Sequence, residues 1–140
     1  MTIVLDTNCL LQIIPRFARH RRLFDRIKEG RIEVAVTTEI LAEYEEQLTS
    51  FYSSALADAI LQIFDLLDNV RYVRVYYRWG LISEDPDDNK FSDCAVAAAA
   101  DYVVTYDRHF RALSKEQFPP LACVTLEELY EILQSENPTV

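Results

Sequence analysis

The chain has no run of about 20 apolar residues, which excludes a membrane-spanning helix. Its opening residues, Met1 to Asp6, place an acid where a secretory leader needs unbroken apolar character, so a cytoplasmic location is expected. Cysteine is scarce: Cys9, Cys94 and Cys123 are far apart and form no C-x-x-C pair, which argues against a disulfide framework and a cysteine zinc site. Free, buried thiols are expected instead. Cations are also few, with 14 Lys and Arg against 23 acids and a net charge of -9, so a general nucleic-acid coat protein is excluded. Half of the 140 residues are hydrophobic, enough for one sizeable core and unlike a disordered chain. With no repeat or linker, one domain over residues 1–135 and a short tail over 136–140 are expected.

Strand and helix patterns alternate along that domain. Thr2 to Asp6 is a short apolar run ending in an acid, read as a buried strand. A helical stretch follows, broken at Pro15 and resumed from Phe17 to Glu29, with Phe17, Leu23, Phe24 and Ile27 facing inward before Gly30 stops it. Ile32 to Val36 is the second strand. Thr37 or Thr38 caps a helix whose Ile40, Leu41, Tyr44 and Leu48 fall at helical spacing. Another helix is expected over Ser54 to Asp68, a third strand over Val70 to Tyr77, and a loop over Gly80 to Asp87. A helix from Asp88 to Ala100 leads into a fourth strand, Tyr102 to Thr105, and Leu121 to Val124 is the fifth. Thr125-Leu126-Glu127-Glu128 matches a capping box that opens a last helix. The alternation predicts a single three-layer α/β/α domain with a mostly parallel central sheet.

In open parallel sheets, ligands bind beyond the carboxyl ends of the strands, where the strand order reverses. Asp6 and Asp107 each follow an apolar strand at such an end. Glu43 stands one and a half turns into the helix after the second strand, and Asp88 opens the helix before the fourth. Singly, each acid has an ordinary account as a turn, cap or surface residue. Together they are four carboxylates aimed at one crevice, and two such charges about 4 Å apart repel by about 4 kcal/mol at an effective dielectric of about 20. A cation is needed to hold them there. An all-oxygen, carboxylate-rich donor set suits Mg2+ or Mn2+, which can activate water for phosphodiester hydrolysis. His20 and His109 are not needed for that chemistry and are expected at the surface.

Four segments, "VLDTN" at 4–8, "ILAEYEEQL" at 40–48, "DPDDNKF" at 85–91 and "DYVVTYDRHF" at 101–110, resemble in order and spacing the acidic motifs of PIN-domain ribonucleases. The similarity is greatest to the VapC-like toxins of bacterial toxin-antitoxin systems and covers nearly the whole chain. The resemblance implies a PIN-like fold and Mg2+- or Mn2+-dependent endonucleolytic cleavage of RNA. It also implies an antitoxin partner and a homodimer. It makes Asp6, Glu43 and Asp107 metal ligands. The third position is open between Asp88, 19 residues before Asp107, and Asp93, 14 before it. The longer spacing is nearer to the family's and favours Asp88, with Asp93 supporting the site. Asn8 and Thr105 take supporting polar roles by the same resemblance.

Seven of the 14 cations, Arg16, Arg19, Arg21, Arg22, Arg26, Lys28 and Arg31, share the stretch 16–31 with only Asp25 and Glu29, which leaves that stretch at +5 and the remainder at -14. It is either a solvated face or a local basic rim beside an acidic site. The resemblance favours the rim, with Arg16, Arg19, Arg21 and Arg22 holding RNA. Two other functions compete: a phosphatase with Asp6 as nucleophile, which wants a second aspartate where Asn8 stands, and an inactive metal-binding module that acts through a protein partner.

Overall fold

A parallel strand whose side chains are all apolar needs cover on both faces. Ile3, Val4 and Leu5 expose no surface, and they form β1 (Thr2–Leu5), the central strand of the sheet. The computed structural model describes residues 1–82, 86–111 and 119–136. The other strands are β2 (Glu33–Val36), β3 (Val70–Tyr72), β4 (Tyr102–Val104) and β5 (Cys123–Val124), arranged β3-β2-β1-β4-β5 with every pairing parallel. The expected layering holds, with a sheet that is wholly rather than mostly parallel.

The helices are α1 (Thr7–Ile13), α2 (Arg21–Lys28), α3 (Thr38–Phe51), α4 (Ser54–Leu66), α5 (Asn89–Ala98), α6 (Arg108–Arg111) and α7 (Leu126–Glu136), and a 3-10 turn, Pro86–Asp88, precedes α5. From β1 the chain winds outward through β2 to β3, then returns to the other side of β1 as β4. Because parallel crossovers are right-handed, that reversal sends the following crossover to the opposite face. It also leaves the carboxyl ends of β1 and β4 side by side, in register at Leu5 and Val104.

Local signals account for most boundaries. Thr37 caps α3 by accepting from the Ile40 amide at 3.2 Å, and Ser53 caps α4 through the Leu56 amide at 3.0 Å. Thr125 and Glu128 form the reciprocal capping box, each side chain accepting from the other's amide at 3.1–3.2 Å. Gly30, at φ +79°, ends α2 with its amide on Ile27 and the Arg31 amide on Arg26. Tyr44 on α3 is fully buried, stands edge-on to Phe64 of α4, and donates its hydroxyl to the Leu5 carbonyl at 2.6 Å. That bond ties the helix pair to the end of β1.

Several expected extents differ. Residues 17–29 are not one helix: amides of Ala18 and Arg21 turn back onto Pro15 and Ala18, so α2 starts only at Arg21 and Phe17 is 93% exposed rather than inward. The third strand ends at Tyr72 instead of Tyr77, because the Val73 amide takes the Val36 carbonyl and β2 there turns into the cap of α3, leaving residues 74–77 no strand to pair with. The fifth strand is limited to Cys123–Val124. Residues 137–140 of the expected tail and 83–85 of the expected loop lie outside the described residues.

The alanine block also divides. Ala95 and Ala98 pack inward from α5, whereas Ala99 ends the helix in the left-handed region at φ +50°, ψ +45°. The Ala100 amide bonds the Ala95 carbonyl at 2.9 Å, closing a helix stop that glycine usually fills. Ala99→Gly is therefore expected to raise stability by about 0.5–1 kcal/mol, read as a higher urea midpoint at unchanged slope. An unchanged or lower midpoint would show the turn to be unstrained.

Candidate active site

Asp6 is the first residue after β1. Its amide donates to the Val104 carbonyl at 3.0 Å and its carbonyl accepts from Cys9 and Leu10, so the backbone passes from sheet to helix within one residue. Its carboxylate makes no helix-capping bond of the usual kind and turns toward β4, where Thr105 donates its hydroxyl to Oδ2 at 2.7 Å. Thr105 is fully buried, and the same hydroxyl accepts from the Asp107 amide at 3.0 Å. One hydroxyl thus links both strand-end aspartates. Asp107 also accepts from the His109 amide at 2.7 Å, with the His109 ring at 3.4 Å, so it combines a turn-capping role with its place at the sheet edge.

Glu43 reaches the same place from α3. Thr7 of α1, itself buried, donates to Glu43 Oε2, and Lys90 of α5 lies 2.7 Å from Oε1. Burial is the main cause that holds the Asp6 carboxyl above the ordinary value of 3.8; Thr105 and the Thr7 amide act against it, and the charges of Glu43 and Asp107 raise it further. Asp6 therefore feels both Glu43 and Asp107. Lys90 is kept charged in spite of its burial by the bond to Glu43 and by the fields of Glu43, Asp87 and Asp88.

The two candidates for the third acid occupy different surroundings. Asp88 closes the 3-10 turn at the head of α5, close enough to Lys90 to stabilise its charge. Asp93 is only 5% exposed, accepts from the Trp79 amide at 3.0 Å, and has Arg78 and Glu39 as its charged neighbours. Its carboxyl is raised, chiefly by burial. Asp93 thus holds down the segment before Gly80, while Asp88 acts on Lys90, the partner of Glu43. Asn8 is exposed in the first turn of α1.

The arginines divide in the same way. Arg21 is used internally: it pairs with Asp25 at 3.2 Å, donates to the Ile14 carbonyl and covers Phe24. Arg22 donates to the Tyr130 hydroxyl at 2.8 Å. Arg16 and Arg19 are exposed, and with His20, Arg22 and Tyr130 they line a cavity of about 550 Å3. The histidines are not free surface residues as expected. His20 is mostly buried and lies 3.3 Å from Glu127, and His109 leans on Asp107, because each finds a carboxylate presented by an adjoining turn. Cys9 and Cys94 are free and buried; burial raises both thiols, the latter to about 12, so neither is a ready nucleophile.

As they stand, no three potential ligand side chains among the described residues surround a common point. Each acid is occupied by a protein donor: Asp6 by Thr105, Glu43 by Thr7 and Lys90, Asp107 by His109. The donor chemistry nonetheless fits a hard divalent ion, being wholly carboxylate oxygen at a strand-order reversal. Thr7 and Lys90 are not among the residues that sequence reasoning selected. A signal for Lys90 exists, since it is the only cation between Arg78 and Arg108, in a stretch with seven acids.

The sequence profile described as the PIN domain matches residues 2–109. This chain belongs to the PIN-domain family. Among solved structures, the PIN domain resembles a chain of VapBC2 from Rickettsia felis bound to a DNA fragment from the promoter, with a TM-score of 0.61, 18% identity, and 89% of this chain and 98% of that one covered. It resembles the T. brucei RRP44 PIN domain at a TM-score of 0.56, 12% identity, and 98% and 83% covered. A DNA-bound VapBC structure from Salmonella typhimurium gives 0.56, 16%, and 90% and 98%. At these identities the likeness is one of fold. No curated protein matches the chain in sequence.

The raised Asp6 carboxyl has a consequence for stability. Relative to an unfolded chain that ionises near 3.8, the fold favours the neutral acid, so this contribution to stability is full below that value and is lost as pH rises through the higher folded value. Asp6→Asn keeps an acceptor for Thr105 without the charge. It is expected to melt at a higher temperature than wild type at pH 7 without metal, with the gap narrowing toward acid pH. A wild type as stable as Asp6→Asn at pH 7 would remove the claim that the site is electrostatically strained.

Proposed function

We propose that this PIN domain is a Mg2+- or Mn2+-dependent endoribonuclease and the toxin of a toxin-antitoxin pair. The observation that carries this is the approach of Asp6, Glu43 and Asp107 from three separate elements to the switch point of a PIN fold. These three, with Asp88, would hold the ion, and Asp93 would steady the adjoining segment. The bound ion supplies an activated water and stabilises the leaving oxygen. Thr105 orients the Asp6 carboxylate and holds the Asp107 backbone through its amide, and the His109 amide fixes the Asp107 carboxylate. Thr7 aims Glu43. No side chain need act as a covalent nucleophile.

The likeness to VapBC structures supports the toxin assignment, with an antitoxin as protein partner. Arg16 and Arg19 are the exposed cations that suit an RNA backbone, with Arg22 beside them. A homodimer, which would bring two such segments into one groove, and action in the cytoplasm belong to the same proposal. A partner-binding module without turnover is the second reading. The complete occupation of Glu43 by Thr7 and Lys90 is the observation that favours it.

Incubating purified protein with a pool of structured and single-stranded RNAs, with Mn2+, Mg2+ or chelator, separates the two. Cleavage is expected with either metal, none with chelator, and a loss of about a hundredfold or more in Asp6→Asn and Asp107→Asn. Wild-type rates in the metal-loaded variants would overturn the ligand assignment, and a folded, metal-binding wild type that cuts nothing would favour the binding module. Arg16→Glu and Arg19→Glu should each weaken RNA binding without affecting the melting temperature, and reduce the salt dependence of binding by about one unit of log-log slope. An unchanged slope would take these arginines out of the RNA contact.

A further inference from the structure

Lys90 stands inside the acid cluster and has no assigned part in it. Its ammonium is 2.7 Å from Glu43 Oε1, its side chain is 16% exposed, and Glu43 itself is 27% exposed. Among the described residues it is the only lysine or arginine within ion-pairing distance of Asp6, Glu43 or Asp107. The other Glu43 oxygen is engaged by Thr7, so both oxygens are occupied by the protein. From this arrangement we infer that Lys90 is a resident counter-ion that occupies Glu43 in the metal-free protein and competes with the divalent ion for it.

Three features carry this beyond an ordinary helix-to-helix ion pair. The pair joins α3, which carries Glu43, to the first turn of α5, just after Asp88, and the ammonium feels the charges of Glu43, Asp87 and Asp88 together. A part-buried carboxylate left without its partner is costly, so a cluster that must exist both with and without metal needs a cation of its own. The ammonium also has room to leave, because Lys90 lines a cavity of about 680 Å3 whose walls include Glu39, Asp87, Asn89 and Asp93. On metal binding, Glu43 would exchange one cation for another, and Lys90 would turn toward that cavity.

The inference rests on the metal-dependent function proposed above, and Mn2+ alone is the probe that tests it. Calorimetric titration of the metal-free full chain with Mn2+ should show Lys90→Gln binding about fivefold or more tighter than wild type, as expected when a competitor is removed. Its metal-free form should melt at a lower temperature, and Lys90→Arg, which keeps the charge, should stay near wild type in both respects. Because coupling is reciprocal, Mn2+ should also raise acylation of the wild-type Lys90 amine by acetic anhydride, read by peptide mass spectrometry. This second measurement decides the matter if Lys90→Gln does not fold. Equal or weaker Mn2+ binding by folded Lys90→Gln, or Lys90 acylation indifferent to Mn2+, overturns the competition. A wild type that binds no Mn2+ removes the metal-dependent function itself, a different and separately visible failure.

Discussion

The pairing of β1 with β4 is the contact on which the site depends. Neither strand follows the other in the sequence, yet their register sets Leu5 beside Val104, so the next residues on each strand can share a buried hydroxyl. A slip of one residue would turn every side chain of the strand to the other face and remove Thr105 from Asp6. The apolar residues of both strands, buried on both sides, make such a slip expensive. Precision at the acids is thus a by-product of core packing, and the Tyr44 hydroxyl on the Leu5 carbonyl adds the same discipline for α3.

Gathering acids at that point sets local electrostatics against folding, and the structure answers the conflict with donors rather than distance. Thr7, Thr105, the His109 amide and Lys90 each take a carboxylate oxygen. The Asp6 carboxyl still ionises less readily than usual, so the compensation is incomplete. Proteins commonly keep such residual strain where function needs it.

Much of this was legible in the sequence because the signals were local. The β1 acid, the Thr37 cap, the Thr125–Glu128 box and the helix-strand alternation all depend on residues a few positions apart. The failures came where a remote segment decided the outcome. Val73 to Tyr77 has a strand-like composition, but its neighbour β2 ends at Val36. Phe17 looks like a core residue until the turn after Pro15 puts it outside the helix phase. Lys90 went unremarked because its importance lies in Glu43, 47 positions earlier in the chain.

The sheet's margins have a further consequence. Its outer strands, β3 and β5, are three and two residues long, and on β3 Arg71 directs its guanidinium to Glu33 and to the Ala98 carbonyl. Short, charged margins give another chain few backbone amides and carbonyls to pair with. A protein that extends this sheet by adding a strand would gain little, so lasting association with a second polypeptide has to draw its free energy from side-chain contact with helices and turns. The margins also discourage open-ended edge-to-edge pairing of one sheet with the next.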